Sequence, residues 1–388
     1  MKKLLEYMDE VPDDFERIKN TILEGTPFTL NQIQVLKNSY PAFLVNDMMT
    51  LIGLQKKNLD KLPFATKWLI CEKSIQQASH FKLAMYHALL FREFESVADL
   101  CCGIGADLLY LSKGKKLCYA VDSDPIVLRM CQYNMSVFQK KNICFQNIKA
   151  QDFYADCEAV YIDPDRRKQN KRLHRLEDLS PSYRSMVGII DRYKNVAIKL
   201  SPLLDYENEL YRDFSFDFVS WNDSLKECLL KFGSLKTGKR AVLLSTNTIF
   251  TEHKHPDTEI KSVNKWLCEP DPAITRLHLV NDLAFELHMY RLDPNISLLT
   301  SDIKPTGLYG KVYEVVEVFP YNLKTLNNYL KANEIGILDI KTKGFSDTVE
   351  RFRKKLVLKG KKSAVIFILR IGEKHICIVA KRCCQLVV

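Results

Sequence analysis

The sequence has no apolar run near the roughly 20 residues that a membrane helix needs. Its first residues, MKKLLEYMDEVPDDFERIKN, carry charges where a secretion signal needs an unbroken apolar core. It has no CxxC pair and no Cys/His spacing of the kind that builds a zinc site. It also lacks an internal repeat and a low-complexity linker. These absences argue against a secreted disulfide scaffold, a membrane protein and a zinc module. The 12 cysteines, which include the adjacent pairs Cys101-Cys102 and Cys383-Cys384, are expected to be reduced and mostly buried in a cytoplasmic chain with no metal.

What is present is the composition of a folded protein: 388 residues, 46% hydrophobic and 27% charged, enough for two or three cores. The formal charge is +10 and is unevenly spread, since residues 301–388 hold 17 Lys and Arg against 8 Asp and Glu. Such a tail can attract the phosphates of a polyanion or simply solvate a surface, and charge alone does not choose between the two.

Residues 1–94 read as short helices, with apolar positions at helical spacing in NQIQVLKNSYPAFLVNDMMTLIGL and SIQQASHFKLAMYHALLF and breaks at Pro27, Pro41 and Pro63. From Ser96 to about Thr246 the pattern becomes short β-rich runs (SVADLCC, LCYAVD, NICFQNIKA, AVYID, NVAIKLS, FDFVSW, RAVLLST) alternating with amphipathic segments. That alternation predicts an α/β fold with a mostly parallel sheet. Beyond Trp266, KVYEVVEVF, AVIFILR and HICIVA suggest strands and NLKTLNNYLKAN a helix.

The run VADLCCGIGADLLYLS sets a strand before a glycine turn and a helix, the arrangement an adenosyl cofactor requires in an open sheet. Gly103 and Gly105 let backbone amides approach a ligand. Asp122 follows Gly105 by 17 residues and ends the next strand, where an acid can bind both ribose hydroxyls. Asp152, after the third strand, is placed for an adenine amino group, and Asp163 closes the fourth. Taken alone, Asp99 also reads as a turn or capping aspartate. Nicotinamide binding is the rival for the whole set, and GIGAD lacks the third glycine of that fingerprint.

DLCCGIGAD, AVDSDP, AQDF and DPDRR, in this order over about 96–246, resemble motifs I to IV of the class I methyltransferases that use S-adenosylmethionine (AdoMet). The resemblance implies a Rossmann-like core in which Asp99, Cys101, Gly103 and Gly105 hold the methionine end of AdoMet, Asp122 the ribose and Asp152 the adenine. EKSIQQASHFKLAMYHALLF, CEPDPAITRLHLVNDLA, LDIKTKGF and VLKGKKSAVIFILR resemble bacterial relatives with a THUMP-like domain at the C-terminus. The implied division is a helical region at 1–94, a methyltransferase domain at 95–265, a ferredoxin-like unit at 266–319 and a THUMP-like domain at 320–388. THUMP domains are implicated in RNA binding, so the resemblance implies an RNA partner, either tRNA or rRNA.

In methyltransferases of amino groups, the motif after the fourth strand reads Asn/Asp/Ser-Pro-Pro-aromatic. Here Asp163 and Pro164 are kept, while Asp165 replaces the second proline and Arg166 the aromatic residue. Asp163, Pro164 and Arg166 are the expected reactive group, with a nitrogen acceptor favoured. Arg166 and Arg167 are expected to contact substrate, because a guanidinium stacks on a base or pairs with a phosphate; structural ion pairs are the alternative. The run from Arg166 to Arg175 holds six Arg or Lys and reads as a phosphate-binding loop or a solvated one. Cys228, inside CLLKF, reads as core, the scattered histidines (His174 and His278 among them) as no ligand set, and Gln77 and Ser79 as helix packing before any contact with the methionine carboxylate. Two further readings stay open: a protein or small-molecule acceptor, and an inactive RNA-binding protein on a methyltransferase scaffold.

Overall fold

The architecture was obtained as a computed structural model, which describes residues 1–24, 29–165, 167–168, 171–172, 179–203 and 214–383. The chain forms two compact units, the first made of Met1–Ser215 with Cys228–Thr237 and the second of Phe216–Glu227 with Gly238–Val388.

The first unit opens with helices α1 (Lys2–Glu10), α2 (Pro12–Glu24), α3 (Leu30–Ser39), α4 (Ala42–Lys57), α5 (Glu72–Gln77) and α6 (Phe81–Leu90). Helical spacing selects the inward residues: Phe15, Ile18 and Ile22 of α2, and Leu44, Met48, Leu51 and Gln55 of α4, are all buried. A capping box starts α3, where Thr29 Oγ1 accepts from Gln32 N at 3.4 Å and Gln32 Oε1 accepts from Thr29 N at 2.9 Å.

The sheet follows, with β1 (Ser96–Leu100), α7 (Leu108–Leu111), β2 (Leu117–Val121), α8 (Pro125–Val137), β3 (Ile143–Gln146) and β4 (Ala159–Ile162). The two-residue strands β5 (Arg167–Lys168) and β6 (Lys171–Arg172) pair with each other. Then come α9 (Tyr183–Arg192), β7 (Val196–Leu200), β8 (Ser215–Trp221) and β9 (Ser224–Phe232).

Within the first unit the order is β9-β7-β4-β1-β2-β3, all parallel except β9, which sets Val196 opposite Phe232 and Leu200 opposite Cys228. The strands β1, β4 and β7 read as almost unbroken apolar runs because both faces are covered. One cluster joins Ile18, Met48 and Trp68 of the helical region to Cys118, Leu128 and Met135 beside the sheet. Inside it, the buried Asn134 amide accepts from Leu69 N at 2.6 Å and donates to the Leu69 and Ile104 carbonyls, so the polar backbone entering the core is satisfied.

In the second unit β8 pairs in parallel with β10 (Lys239–Leu243), which pairs antiparallel with β11 (Thr248–Thr251). The buried Asp217 is held by two 2.8 Å hydrogen bonds from Arg240. A seven-stranded sheet follows, built from β12 (Trp266–Pro270), β13 (Tyr290–Asp293), β14 (Ile296–Ser301), β15 (Gly310–Pro320), β16 (Ile335–Lys343), β17 (Lys362–Ile371) and β18 (Lys374–Arg382). Its order is β13-β14-β12-β15-β18-β17-β16, antiparallel except for β16 with β17.

The short helices α10 (Pro272–Arg276) and α11 (Val280–Glu286) lie in sequence between β12 and β13, with α12 (Leu323–Ala332) and α13 (Val349–Arg353) either side of β16. The period-two pattern of β17 divides its side chains: Val365, Phe367 and Leu369 pack with Leu267 and Tyr313, whereas Ile366 and Ile368 pack with Leu326, Leu330 and Phe352 of α12 and α13. Among the described residues no helix is long and apolar enough to cross a membrane.

Candidate active site

The carboxyl ends of β1, β2 and β4 meet at one crevice edge, the place where open α/β sheets bind ligands. Asp99 is the fourth residue of β1 and is 2% exposed, yet neither carboxylate oxygen has a hydrogen-bond partner among the described residues. Burial first, then the nearby charges of Asp107, Asp163 and Asp122, push its carboxyl well above the ordinary range. A buried carboxyl left this way is satisfied by taking up a proton or by meeting a cation.

The chain after β1 takes left-handed backbone at Cys101 (φ 68°), Gly103 (φ 57°) and Gly105 (φ 88°). The Cys101 and Cys102 amides both donate to the Val121 carbonyl, at 2.8 and 3.0 Å, which ties the loop to β2. Gly103 N donates to Asp122 Oδ2 at 3.0 Å, and Asp124 N to Asp122 Oδ1 at 2.9 Å. The Asp122 carboxylate is thereby aimed at the loop. Burial raises the Cys101 thiol well above its usual value, helped by Asp122, Asp163 and Asp99, so it stands there as a neutral thiol rather than a thiolate nucleophile.

A Cβ at Gly105 would meet Cys131 Sγ and the Met135 methyl at 2.9 Å each, at a φ that costs an L-residue roughly 1–2 kcal/mol. Gly105→Ala should therefore displace the loop and weaken AdoMet binding by at least about tenfold, since 1.4 kcal/mol is one decade. Calorimetric titration would check this, with unchanged affinity arguing against the loop as the cofactor cradle.

Asp152 ends a 3-10 turn, Ala150–Asp152, beyond β3 and is exposed, so it stands further from its strand than the other three acids. Asp163 directly follows β4. Its amide donates to the Leu100 carbonyl at 3.2 Å, and its Oδ2 accepts from Lys199 Nζ at 2.7 Å. Pro164 is buried, and Asp165 exchanges backbone hydrogen bonds with Ser180 at 2.8 and 3.1 Å. Arg166, His174 and Arg175 lie outside the described residues, as does the Arg167 side chain, whose backbone is in β5. Cys228 is buried in β9 and His278 lies just after α10.

Behind Asp163 lies a polar group that the motifs do not announce. Lys199 Nζ donates to Ser79 Oγ at 2.8 Å, and Ser79 Oγ donates to Asp107 Oδ2 at 2.7 Å. Asp107 Oδ1 is 2.6 Å from His87 Nδ1, and the Tyr161 hydroxyl is 3.1 Å from the same nitrogen. Burial opposes ionisation of Asp107, but His87, Lys199 and Ser79 outweigh it and hold its carboxyl below the ordinary value. One signal was in the sequence: Lys199 and His87 interrupt otherwise apolar runs, NVAIKLS and LAMYHALLF.

The family described as THUMP domain-like matches residues 310–382. An uncharacterized S-adenosylmethionine-dependent methyltransferase of Mycobacterium tuberculosis H37Rv is 26% identical over 328 residues, 82% of this chain and 89% of that protein, and its counterpart in strain CDC 1551 matches equally. Among solved structures, a provisionally assigned methyltransferase of Porphyromonas gingivalis W83 superimposes with a TM-score of 0.79 at 17% identity, covering 95% of this chain and 98% of that one. The orphaned acid, the positive-φ glycine loop and these relatives agree: the chain is a class I AdoMet-dependent methyltransferase with a THUMP-like region at its C-terminal end.

Proposed function

We propose that the protein methylates RNA, tRNA or rRNA, at a nitrogen atom. The observation that carries this reading is the THUMP-like region at 310–382 in a chain whose first unit sets the glycine loop beside Asp99 and Asp122. The charge supports it: Arg351, Arg353, Lys354, Lys355, Lys359, Lys361 and Lys362 are all exposed within twelve positions. In this reading the helical region 1–94, the methyltransferase domain 95–265, the ferredoxin-like unit 266–319 and the THUMP-like domain 320–388 divide the work between holding cofactor and gripping RNA.

AdoMet supplies an electrophilic methyl group, and the protein's part is to place the acceptor in line with it. Asp99, Cys101, Gly103 and Gly105 hold the methionine end, Asp122 the ribose and Asp152 the adenine. Asp163, fixed in direction by the buried Pro164, accepts a hydrogen bond from the acceptor N–H and offsets the charge that develops there. Arg166 and Arg167 bind base or phosphate.

The reading is tested by incubating the protein with methyl-labelled AdoMet and total RNA, then analysing the nucleosides by mass spectrometry. Label in one nucleoside is the expected result, and label absent from RNA but present in protein or small molecules would overturn it. Lys354, Lys359 and Lys361 give the binding half of the test. Replacing all three by Gln should weaken RNA binding and lower the salt slope by roughly 2, at about 0.7 per single-strand phosphate contact, while leaving AdoMet affinity unchanged. An unchanged slope would mean these lysines only solvate the surface.

A further inference from the structure

Lys199 lies in β7, where every residue is buried, and is itself 5% exposed. An ammonium in such a place is retained only with good partners. Its partners form a continuous line through the first unit, from Asp163 to Lys199, Ser79, Asp107 and His87, with hydrogen-bond distances of 2.7, 2.8, 2.7 and 2.6 Å. The line starts at a carboxylate that is 20% exposed at the crevice and ends at a histidine with no exposure. Four separate stretches of chain contribute to it: Ser79 before α6 and His87 within it, Asp107 before α7, Asp163 after β4 and Lys199 in β7.

We propose that Lys199 is a positioning residue for methyl transfer. It fixes the Asp163 carboxylate, charged and in one orientation, at the transfer site, while Ser79, Asp107 and His87 hold the ammonium from behind. The inference rests on Asp163 being the residue that meets the acceptor. Lys199 itself is too buried to touch substrate or cofactor, so it acts through Asp163.

The need for such a clamp follows from the surroundings. Asp99 in β1, Asp107 before α7, Asp122 after β2 and Asp165 beyond β4 bring four more carboxyl groups to this end of the sheet, and Asp163 is among the charges that act on Asp99 and on Cys101. A carboxylate in that company would take up a proton or turn away unless a cation holds it. Among the described residues Lys199 is a cation that hydrogen-bonds Asp163 Oδ2, and Ser79 fixes the lysine's direction by taking a second of its three protons. Asp107, ionised by the same neighbours, balances the ammonium on the far side.

The test uses the full-length protein labelled with 13Cγ-aspartate, the Asp163 resonance being assigned by its loss in Asp163→Asn. In the wild type that resonance should report a carboxylate at neutral pH. In Lys199→Met it should take up a proton at higher pH than in the wild type, and Lys199→Arg should restore it. AdoMet affinity, read by calorimetry, should stay within about twofold, while the single-turnover rate on total RNA falls at least about tenfold, a barrier change of about 1.4 kcal/mol.

A merely structural lysine would lower stability but leave the single-turnover rate of the folded protein as in the wild type, although Asp163 has lost a neighbouring charge; that result overturns the proposal. Should Lys199→Met fail to fold, Ser79→Ala removes one hydroxyl from the line, and a smaller shift of the same sign is expected; no shift overturns the proposal equally. If the wild type transfers no methyl group to RNA, the RNA reading fails, and the resonance still reports whether Lys199 sets the state of Asp163.

Discussion

Asp99→Asn is expected to raise the melting temperature of the ligand-free protein and to abolish most of the stabilisation that AdoMet confers on the wild type. The two effects have one cause. Asp99 is buried with both oxygens unpartnered among the described residues, and burial together with Asp107, Asp163 and Asp122 raises its carboxyl well above the ordinary value. A carboxyl raised on folding binds its proton more tightly in the native than in the unfolded state. Its unfavourable contribution is therefore absent at pH below the ordinary carboxylate range, grows as pH rises towards the raised native value, and is complete above it. The amide carries no charge, so at neutral pH Asn should relieve the cost of ionising or protonating a buried carboxyl, and the gain should vanish in acid. The cofactor's ammonium would lose a charge-assisted partner, about 10- to 100-fold in affinity. Thermal melts at acid and alkaline pH, with and without AdoMet, would read both changes. A lower melting temperature with an undiminished AdoMet response would remove Asp99 from the site.

Asp163→Asn should slow methyl transfer by about 10²-fold, close to 2.7 kcal/mol of transition-state stabilisation, while AdoMet affinity stays nearly constant. Asn is the informative replacement. Alanine would take from Lys199 the carboxylate hydrogen-bonded to it, leaving Asp107 on the far side, and breaking a buried pair costs about 3–5 kcal/mol, so lost activity would be hard to separate from lost structure. Asn keeps an oxygen for the ammonium and removes the charge. Arg166→Ala should behave differently, raising KM for RNA with a smaller effect on kcat, because a guanidinium is no proton acceptor at neutral pH. Single-turnover rates separate the two residues. Were Asp163→Asn to leave the chemical step intact while Arg166→Ala abolished it, the roles would have to be exchanged.

The glycine loop after β1 could be read from the chain because its parts are local. Asp99 and the two glycines fall within seven residues, and Asp122 and Asp163 each follow a short apolar run whose end is marked by the acid itself. Strands β15, β17 and β18 were legible for the same reason in KVYEVVEVF, AVIFILR and HICIVA. The clamp behind Asp163 was not, because its contacts join residues far apart: Lys199 is 120 positions from Ser79 and 36 from Asp163. Nothing in the chain near Ser79 distinguishes a serine that packs a helix from one that bridges a lysine and an aspartate. The exposure of Asp152 was equally hidden, since AQDF does not reveal the 3-10 turn that carries it beyond β3.

The path of the chain between the two units has a consequence for synthesis on the ribosome. It leaves the first unit after Ser215, returns at Cys228 and leaves again after Thr237. The returning segment carries the part of β9 that pairs with β7, a strand with every residue buried. While translation stands between Leu200 and Phe232, that edge of the nascent sheet has no partner from this segment, and an unpaired apolar edge is prone to association with other chains. A fragment ended at residue 215 would keep the same edge permanently bare, so the first unit cannot be released by a single cut. Nascent chains whose emerged part ends before Cys228 should therefore depend on a chaperone, and those that have emerged past Thr237 should not.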